Sequence, residues 1–288
     1  MKRFKLKGSA DSLMSILKGS NSPVLTALDT YLLRIKDDKG RNHGLNSPSS
    51  IGKCPRSIYY GRKGIVGNKS VIKPRTRRVF QNGHDVHNRI QRCLKAEGIL
   101  LIDEPPVFNI ELEILGNADG LIVLSGRLAV LEIKSINHCE YTTLLEPKPE
   151  HLRQASTYMY CFEKIRQYIL AGHDIDTLSQ TYKKFLDKSL SLKEKNERHK
   201  NFEKMIEVIL KFLDKPIDSI DFIYENKNTQ EIKEFIVDWD SDIINEIETT
   251  YRYLNECVAN NTIPDRPDGS TKSGSCRSCI FKRECWDV

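Results

Sequence analysis

Two short apolar runs on either side of a Ser-Gly turn predict a β-hairpin near the middle of the chain. The runs Leu121–Leu124 and Leu128–Ile133 are leucine-rich or β-branched, as strand sequences are. Side chains two residues apart in a strand share a face, so Glu132 and Lys134 point to the same side of the second strand. Pairing of the two strands would bring Asp119, which precedes the first run, within reach of Glu132.

The predicted hairpin therefore gathers two carboxylates and a lysine at the edge of an apolar sheet. Such an arrangement is expensive to bury unless a cation neutralises the carboxylates. The alternative is a surface hairpin with a Glu–Lys pair on its solvated face, because the pattern E-x-K is common. The hairpin alone does not decide between a metal site and an exposed ion pair.

Further strands are predicted on both sides of the hairpin. Pro105–Leu115 alternates apolar and polar residues, which is typical of one extended strand and makes a three-stranded antiparallel meander with the hairpin. Ser219–Tyr224 and Glu231–Asp238 read as two more strands joined by a polar turn.

Helical spacing of apolar residues alternates with these strands and makes the chain α/β, or α+β, in class. We expect a helical hairpin within the highly charged segment 174–213. Single helices are predicted over Asp11–Lys18, Val24–Ile35, Val79–Ala96, Pro149–Leu170 and Ser241–Ala259.

Two of these helices carry polar residues that a site could use. In Val79–Ala96, His87 falls on the same face as Gly83 and Ile90, so its ring is expected to point inward. In Pro149–Leu170, Gln154 and Tyr158 lie four residues apart on one face, which could hold a substrate. Taken singly, each feature is also typical of an ordinary core face.

Composition adds a mild positive charge and excludes a membrane protein. The 288 residues are 39% hydrophobic and 29% charged, with a net charge of +6, so one large domain or two small ones would fit. The basic N-terminal segment has no signal-peptide core, and no run approaches the roughly 20 apolar residues of a membrane span. We expect a soluble, intracellular protein of the cytoplasm.

The positive charge is concentrated in residues 53–78, where basic side chains occur without any acidic one. Basic side chains neutralise phosphates and aromatic rings stack on bases, so the mixture suits a nucleic-acid backbone, although a solvated basic loop fits as well. The candidate DNA contacts in this segment are Arg56, Tyr60, Arg62, Lys63, Arg75, Arg77 and Arg78.

The C-terminus carries a cysteine cluster, Cys276, Cys279 and Cys285, in the pattern C-x2-C-x5-C. Three thiols this close can reach one metal centre, and Cys54 in the basic segment is the best candidate for a fourth ligand. Either zinc or an iron–sulfur cluster suits four thiolates. Because such a site joins the two ends of the chain, it favours one domain.

These residues together resemble the PD-(D/E)xK nuclease superfamily, and more narrowly the RecB-type exonucleases with a four-iron–four-sulfur cluster, which include the AddB nuclease domain and CRISPR-associated and viral exonucleases. The sequence departs from the pattern by an alanine before Asp119 and by the long segment 174–213. The matching positions are Gly83 and His87, Gly116 and Asp119, Glu132 and Lys134, Gln154 and Tyr158, and Cys54 with Cys276, Cys279 and Cys285.

The resemblance implies a restriction-endonuclease-like core, in which helices flank a central mixed β-sheet. Residues 1–52 would form an N-terminal helical extension and residues 53–288 the nuclease domain. The segment 174–213 would be a helical insertion and residues 264–288 the cluster-binding tail.

The resemblance also assigns roles to the site residues. His87, Asp119 and Glu132, with the carbonyl of Ile133, would bind Mg²⁺ or Mn²⁺, and Lys134 would orient the attacking water. Asp119, Glu132 and Lys134 are thus the catalytic candidates. Gln154 and Tyr158 would line the site and position the DNA strand. The four cysteines would hold a structural 4Fe-4S cluster, with Zn²⁺ as the alternative.

The implied activity is that of a metal-dependent DNA exonuclease acting on single strands or ends in repair, recombination or replication. The chain contains no G-x-x-x-x-G-K-[ST] phosphate loop, so a helicase or recombination motor would have to be a separate partner. The rival hypothesis is a non-catalytic DNA-binding accessory protein whose fold is stabilised by zinc or an iron–sulfur cluster.

Overall fold

A computed structural model describes residues 22–35, 44–68, 71–187, 192–266, 276 and 279–286. The helix predicted for Asp11–Lys18 lies outside these residues. The chain is an α/β structure in which helices flank a central mixed sheet, as the sequence predicts.

The main sheet has five strands in the order β1-β4-β5-β6-β7. The pair β5–β6 is parallel and the other pairs are antiparallel, which makes the sheet mixed. The main-sheet strands are β1 (Leu100–Asp103), β4 (Gly120–Leu124), β5 (Arg127–Ile136), β6 (Ser219–Asn226) and β7 (Ile232–Asp238).

The predicted hairpin is the pair β4–β5. Its turn residues Ser125 and Gly126 have positive φ angles of 49° and 75°, as the two central residues of a type I′ turn require. Gly120 pairs with Leu131, and that register places Asp119 opposite Glu132. The sequence did not predict β1, which pairs with the outer side of β4.

The prediction of one extended strand over Pro105–Leu115 is wrong. The segment folds back on itself as β2 (Pro106–Asn109) and β3 (Ile114–Asn117), which form a separate two-stranded sheet. The reversal is stabilised by the Asn109 side chain, which accepts a hydrogen bond from the Leu112 amide at 2.9 Å. The three-stranded meander is therefore replaced by two hairpins.

The predicted helices that fall on the described residues lie close to their expected positions, with one extension. Further short helices among the described residues, at Pro55–Arg62, His138–Thr143 and Lys282–Trp286, were not predicted. α3 begins at Pro74, inside the basic segment, because proline is well tolerated in the first turn of a helix. The helices are α1 (Pro23–Arg34), α2 (Pro55–Arg62), α3 (Pro74–Ala96), α4 (His138–Thr143), α5 (Pro149–Leu170), α6 (Ile175–Asp187), α7 (Leu192–Lys211), α8 (Ser241–Ala259) and α9 (Lys282–Trp286).

Two helices sandwich the central strand β5. On one face, Ile90 of α3 packs against Leu131 and Ile133. The opposite face carries Glu132 and Lys134 and is covered by α5, which also packs against α8. The functional side chains of β5 thus lie between the sheet and α5.

The segment 174–213 forms the two predicted helices, α6 and α7. Their apolar stripes meet at Tyr182 and Phe202, whose rings stack with centroids 4.4 Å apart, and Phe108 of β2 lies 5.1 Å from Tyr182. The pair of helices therefore belongs to the main core and is not a detached lid. Among the helices that the structure describes, none is long and apolar enough to cross a bilayer.

Candidate active site

Asp119 contacts both the strand β5 and the helix α3 that carry the other candidate site residues. It immediately precedes β4, and its Oδ2 accepts a hydrogen bond of 2.7 Å from the backbone amide of Ile133 on β5. Its Oδ1 lies 3.2 Å from Nδ1 of His87 on α3. One carboxylate thus joins a strand on one side to a helix on the other.

Two neighbours on α3 hold His87 in position. Arg89 donates two hydrogen bonds, of 2.7 and 2.6 Å, to the carboxylate of Glu225 on β6. Gln91 donates to the backbone carbonyl of Asp119 at 2.7 Å. Sequence reasoning missed both residues, since only the three-dimensional packing of α3 shows that they face the sheet.

Glu132 is a fully buried carboxylate on β5. Its side chain is 1% exposed, and neither carboxylate oxygen accepts a hydrogen bond of normal geometry from the residues that the structure describes. Burial, reinforced by the negative charge of Asp119, raises the pKa of Glu132 to about 7. Lys134 forms a close ion pair with Oε1, which opposes the rise.

The protonation of His87 is coupled to the same carboxylates. Burial lowers the pKa of His87, but the hydrogen bond and the charge of Asp119 outweigh burial and leave the pKa above its ordinary value. A metal ligand must be a neutral imidazole, so cation binding here would release protons.

Gln154 and Tyr158 lie where the sequence predicts, next to Lys134. The Lys134 ammonium is 3.5 Å from Oε1 of Gln154, and the Gln154 amide donates to the Tyr158 hydroxyl at 2.7 Å. Burial, followed by the charge of Glu132, raises the pKa of Tyr158 well above its usual value. Tyr158 is therefore a neutral phenol, and its hydroxyl holds the Gln154 side chain in place by accepting this hydrogen bond.

A histidine–tyrosine pair completes this side of the site. His151 Nδ1 lies 2.8 Å from the hydroxyl of Tyr224, which is opposite Lys134 in the β5–β6 register. Burial, followed by the positive charge of Lys134, lowers the pKa of His151 to about 4. The sequence places His151 one turn before Gln154 on α5 but gives no signal for Tyr224.

The residues present fit a hard divalent cation. Two carboxylates and one imidazole supply the donors that Mg²⁺ and Mn²⁺ accept, and Oε2 of Glu132 has no hydrogen-bond partner among the residues that the structure describes. The N–H of Ile133 faces Asp119, and the carbonyl of a strand residue points to the same edge as its N–H.

The ligand atoms are not yet arranged around a common point. Within the part of the chain that the structure describes, no three His, Cys, Asp or Glu side chains converge in metal-binding geometry. Asp119 is paired with His87 and Glu132 with Lys134. A cation would therefore have to replace both contacts.

Two of the predicted DNA contacts face the interior. Arg62 donates to the carbonyl of Gly44 and to the amide oxygens of Asn46 and Asn255, and it is paired with Glu113. The Tyr60 ring is buried, and its hydroxyl donates to a backbone carbonyl of the C-terminal tail. Neither side chain presents a surface to a nucleic acid.

The remaining basic residues divide between the tail and the surface. Arg56 donates to the Pro264 carbonyl at 2.6 Å and reaches the Cys285 sulfur at 3.7 Å. Lys63 and Arg75 are exposed, and Arg78 is half-exposed and paired with Asp29 at 2.6 Å. Arg77 lies on the same turns of α3 and is partly buried.

We predict that Arg62→Ala lowers the free energy of unfolding by about 2 kcal/mol, because it leaves buried amide and carbonyl groups unpaired. Arg75→Ala, at an exposed position of α3, is expected to change it by no more than about 0.5 kcal/mol while weakening DNA binding. Urea unfolding and DNA titration of both variants measure the two effects. Equal stability losses would contradict the structural role of Arg62.

The C-terminal tail docks on α2, the helix that Cys54 precedes. Phe281 packs with Tyr59 and Tyr60, and the Asn68 amide donates to the Ile280 carbonyl at 2.7 Å. Cys279 and Cys285 lie beside the same aromatic cluster. The C-terminal tail therefore meets the segment that begins at Cys54, although no three cysteines of the described residues converge in metal-binding geometry.

No protein family and no curated protein matches the sequence. Solved structures do resemble the fold. SSO0001 matches with a TM-score of 0.45 and 16% identity over 96% of this chain and 97% of that one. The alkaline exonuclease LHK-Exo from Laribacter hongkongensis matches with a TM-score of 0.43 and 14% identity over 77% and 91%.

The structure of LHK-Exo in complex with dAMP matches with a TM-score of 0.41 and 15% identity, again over 77% of this chain and 91% of that one. At these scores and identities the likeness carries no functional argument.

Proposed function

We propose that the protein is a metal-dependent deoxyribonuclease that acts as an exonuclease. The observation that carries the proposal is Glu132, a buried carboxylate without normal hydrogen bonds, opposite Asp119 and in contact with Lys134. A fold does not keep such a group for stability, because burying it is unfavourable. A divalent cation would remove that penalty.

His87, Asp119 and Glu132, together with the carbonyl of Ile133, would hold Mg²⁺ or Mn²⁺. When bound, the cation would polarise the scissile phosphate and lower the pKa of an attacking water. The Ile133 amide binds Oδ2 of Asp119. Oδ1, which is paired with His87, is therefore the oxygen that a cation would use.

Lys134 would supply the positive charge next to the attacking water and the phosphate. If Glu132 were a cation ligand, the Lys134 ammonium would be free of its ion pair and could donate to the water or to a phosphate oxygen. Gln154 lies 3.5 Å away and keeps the ammonium in the site. A fixed positive charge at this point stabilises the charge that develops on the phosphate.

The substrate we propose is DNA with a single-stranded segment or an end. The exposed Lys63 and Arg75, with Arg77 and Arg78 on the same turns of α3, would contact the phosphate backbone. Such an activity belongs inside the cell, in repair, recombination or replication, beside a separate helicase or recombination protein.

We propose in addition that Cys54, Cys276, Cys279 and Cys285 hold a structural 4Fe-4S cluster, with Zn²⁺ as the alternative. Docking of the tail through Arg56 and Phe281 supports this, because it brings the late cysteines to the helix that follows Cys54. A cluster of four thiolates would fix both ends of the chain.

We predict that Cys285→Ser lowers soluble yield and removes the visible absorption of anaerobically purified protein. Cys93→Ser, at an exposed cysteine of α3, is the matched control and should change neither. Iron, sulfide and zinc analysis of the same samples identifies the metal. A colourless wild type with stoichiometric zinc would replace the iron–sulfur assignment by zinc.

The nuclease proposal is tested by incubating purified protein with end-labelled single strands, end-labelled duplexes and circular single strands. We expect release of mononucleotides or short products from linear DNA in Mg²⁺ or Mn²⁺, and complete loss of cleavage after EDTA. Circular DNA should persist. DNA binding without cleavage in both metals would overturn the proposal in favour of a binding protein.

A further inference from the structure

Phe80 on α3 is a large aromatic side chain that remains 54% exposed. It precedes His87 by seven residues, so the two side chains lie on the same face of the helix. Seven residues span roughly 10 Å along a helix axis, which is about the length of one to two nucleotides of a single strand.

Among the residues that the structure describes, this face of α3 is covered along its second half, where Ile90 and Leu94, beyond His87, pack against the sheet. Phe80 lies on the other side of His87, and its side chain is exposed. The face that carries His87 thus continues toward the start of α3 into an exposed surface.

Gly83 lies between Phe80 and His87 on this face of α3, and its missing side chain leaves a gap between them. A Cβ atom built on Gly83 would meet no atom within 4 Å among the residues that the structure describes. No packing neighbour there requires the absence of a side chain. The glycine leaves space on the surface, on the face that leads to the candidate metal ligands.

The surroundings of this gap suit a polyanion. The first turns of α3 carry Arg75, Arg77 and Arg78 and no acidic residue. The aromatic residues of the basic segment, Tyr59 and Tyr60, are buried and not available for stacking. Phe80 is the exposed aromatic ring that α3 presents next to the site.

We propose that Phe80 stacks on an unpaired nucleobase of the DNA strand, and that the gap over Gly83 admits the sugar–phosphate linking that nucleotide to the scissile phosphate. The proposal rests on the nuclease function proposed above and adds to it a base-stacking subsite. Every base has a π-face, so the subsite would favour unpaired nucleotides without selecting a sequence.

The test measures binding of short single strands in Ca²⁺ or EDTA, and cleavage in Mn²⁺. Phe80→Ala is expected to weaken binding about 5- to 100-fold, which is the usual contribution of one stacked base. Phe80→Trp should restore binding. Tyr31→Ala, which removes an exposed aromatic ring of α1, is the matched control and should bind like the wild type.

An abasic scan of the oligonucleotide separates stacking from a general loss of structure. One abasic position should weaken wild-type binding as much as Phe80→Ala does, and the same position should have no further effect on the variant. If the abasic penalties in the two proteins are equal at every position, Phe80 does not stack and the subsite is refuted.

Gly83→Leu provides a second, independent variant, because it fills the gap while leaving Phe80 in place. It should weaken DNA binding and slow cleavage at least about 5-fold without lowering the melting temperature, since leucine is a better helix former than glycine. Wild-type binding affinity in this variant would overturn the role of the gap.

Hydrolysis of bis(4-nitrophenyl) phosphate, which has no base, separates the two proposals. If the nuclease assignment holds, the wild type should hydrolyse it in Mn²⁺ and Lys134→Ala should not. If the wild type cleaves neither this ester nor DNA, the nuclease function has failed. If the wild type cleaves DNA and Phe80→Ala binds and cleaves it equally well, only the subsite has failed.

Discussion

Lys134→Ala is expected to reduce metal-dependent DNA cleavage about 100- to 1000-fold while leaving DNA binding and fold almost unchanged. The ammonium lies between Glu132 and Gln154, where it can reach the water or the phosphate but contributes little to packing. Loss of one preorganised charge at the reacting group typically has an effect of this size. Single-turnover cleavage with saturating enzyme measures it directly.

Asp119→Ala should be equally inactive for a different reason, since it removes a metal ligand and the partner of His87. The variant is therefore expected to lose Mn²⁺ binding, whereas Lys134→Ala should keep it. Lys95→Ala is a suitable control, because Lys95 is an exposed lysine of α3 paired only with Asp103 in the part of the chain that the structure describes. Undiminished cleavage by both site variants would remove the assignment of the active site.

The sequence predicted the positions of the candidate site residues better than those of their surroundings, because these positions follow from local patterns. Two apolar runs and a Ser-Gly turn were enough to fix the register that places Asp119 opposite Glu132. The helical period was enough to turn His87 toward the sheet. Each of these inferences depends on residues close together in the chain.

Some errors arose where distant residues decide the outcome, and one arose from a local turn. Arg62 reads as a surface charge, but its guanidinium is enclosed by Asn46, Glu113 and Asn255, which are far apart in the sequence. The strand predicted over Pro105–Leu115 was broken by the Asn109 side chain, whose effect on a local turn outweighs the alternating pattern.

The buried network around α3 shows a further limit. Arg89 and Gln91 hold the helix against β6 and Asp119, and so they set the distance between His87 and the carboxylates. In the sequence both residues look like ordinary polar positions of an amphipathic helix. Only the placement of Glu225 on the buried face of β6 gives Arg89 a partner.

Glu132→Gln is expected to abolish cleavage and yet to make the cation-free protein more stable. The folded-state pKa of Glu132 is raised to about 7, above its ordinary value of 4.5. The folded protein therefore binds a proton more tightly than the unfolded chain does, so ionisation of Glu132 destabilises the fold as pH rises. Glutamine has a similar shape and cannot ionise.

The pH dependence of the stability difference follows from the same rise in the pKa of Glu132. The stability difference between Glu132→Gln and the wild type should be smallest near pH 4.5, increase up to about pH 7 and then remain constant. At about 1.4 kcal/mol per pKa unit, the largest gain is about 3 kcal/mol, which already includes the opposing attraction of Lys134. Urea unfolding of the wild type and Glu132→Gln in EDTA at pH 5, 7 and 8.5 measures this difference in stability.

Added Mn²⁺ should reverse the order of the two proteins. A ligand that binds only the folded state at about 1,000 times its Kd stabilises it by about 4.1 kcal/mol, which exceeds the advantage of the variant. The wild type should gain this stability, whereas the variant, which lacks the Glu132 carboxylate, should not. Equal Mn²⁺ stabilisation of both proteins would mean that Glu132 is not a ligand. A buried carboxylate that weakens the apo-protein and strengthens the metal-bound one has the energetic profile of a binding residue, because a purely structural side chain would stabilise both states alike.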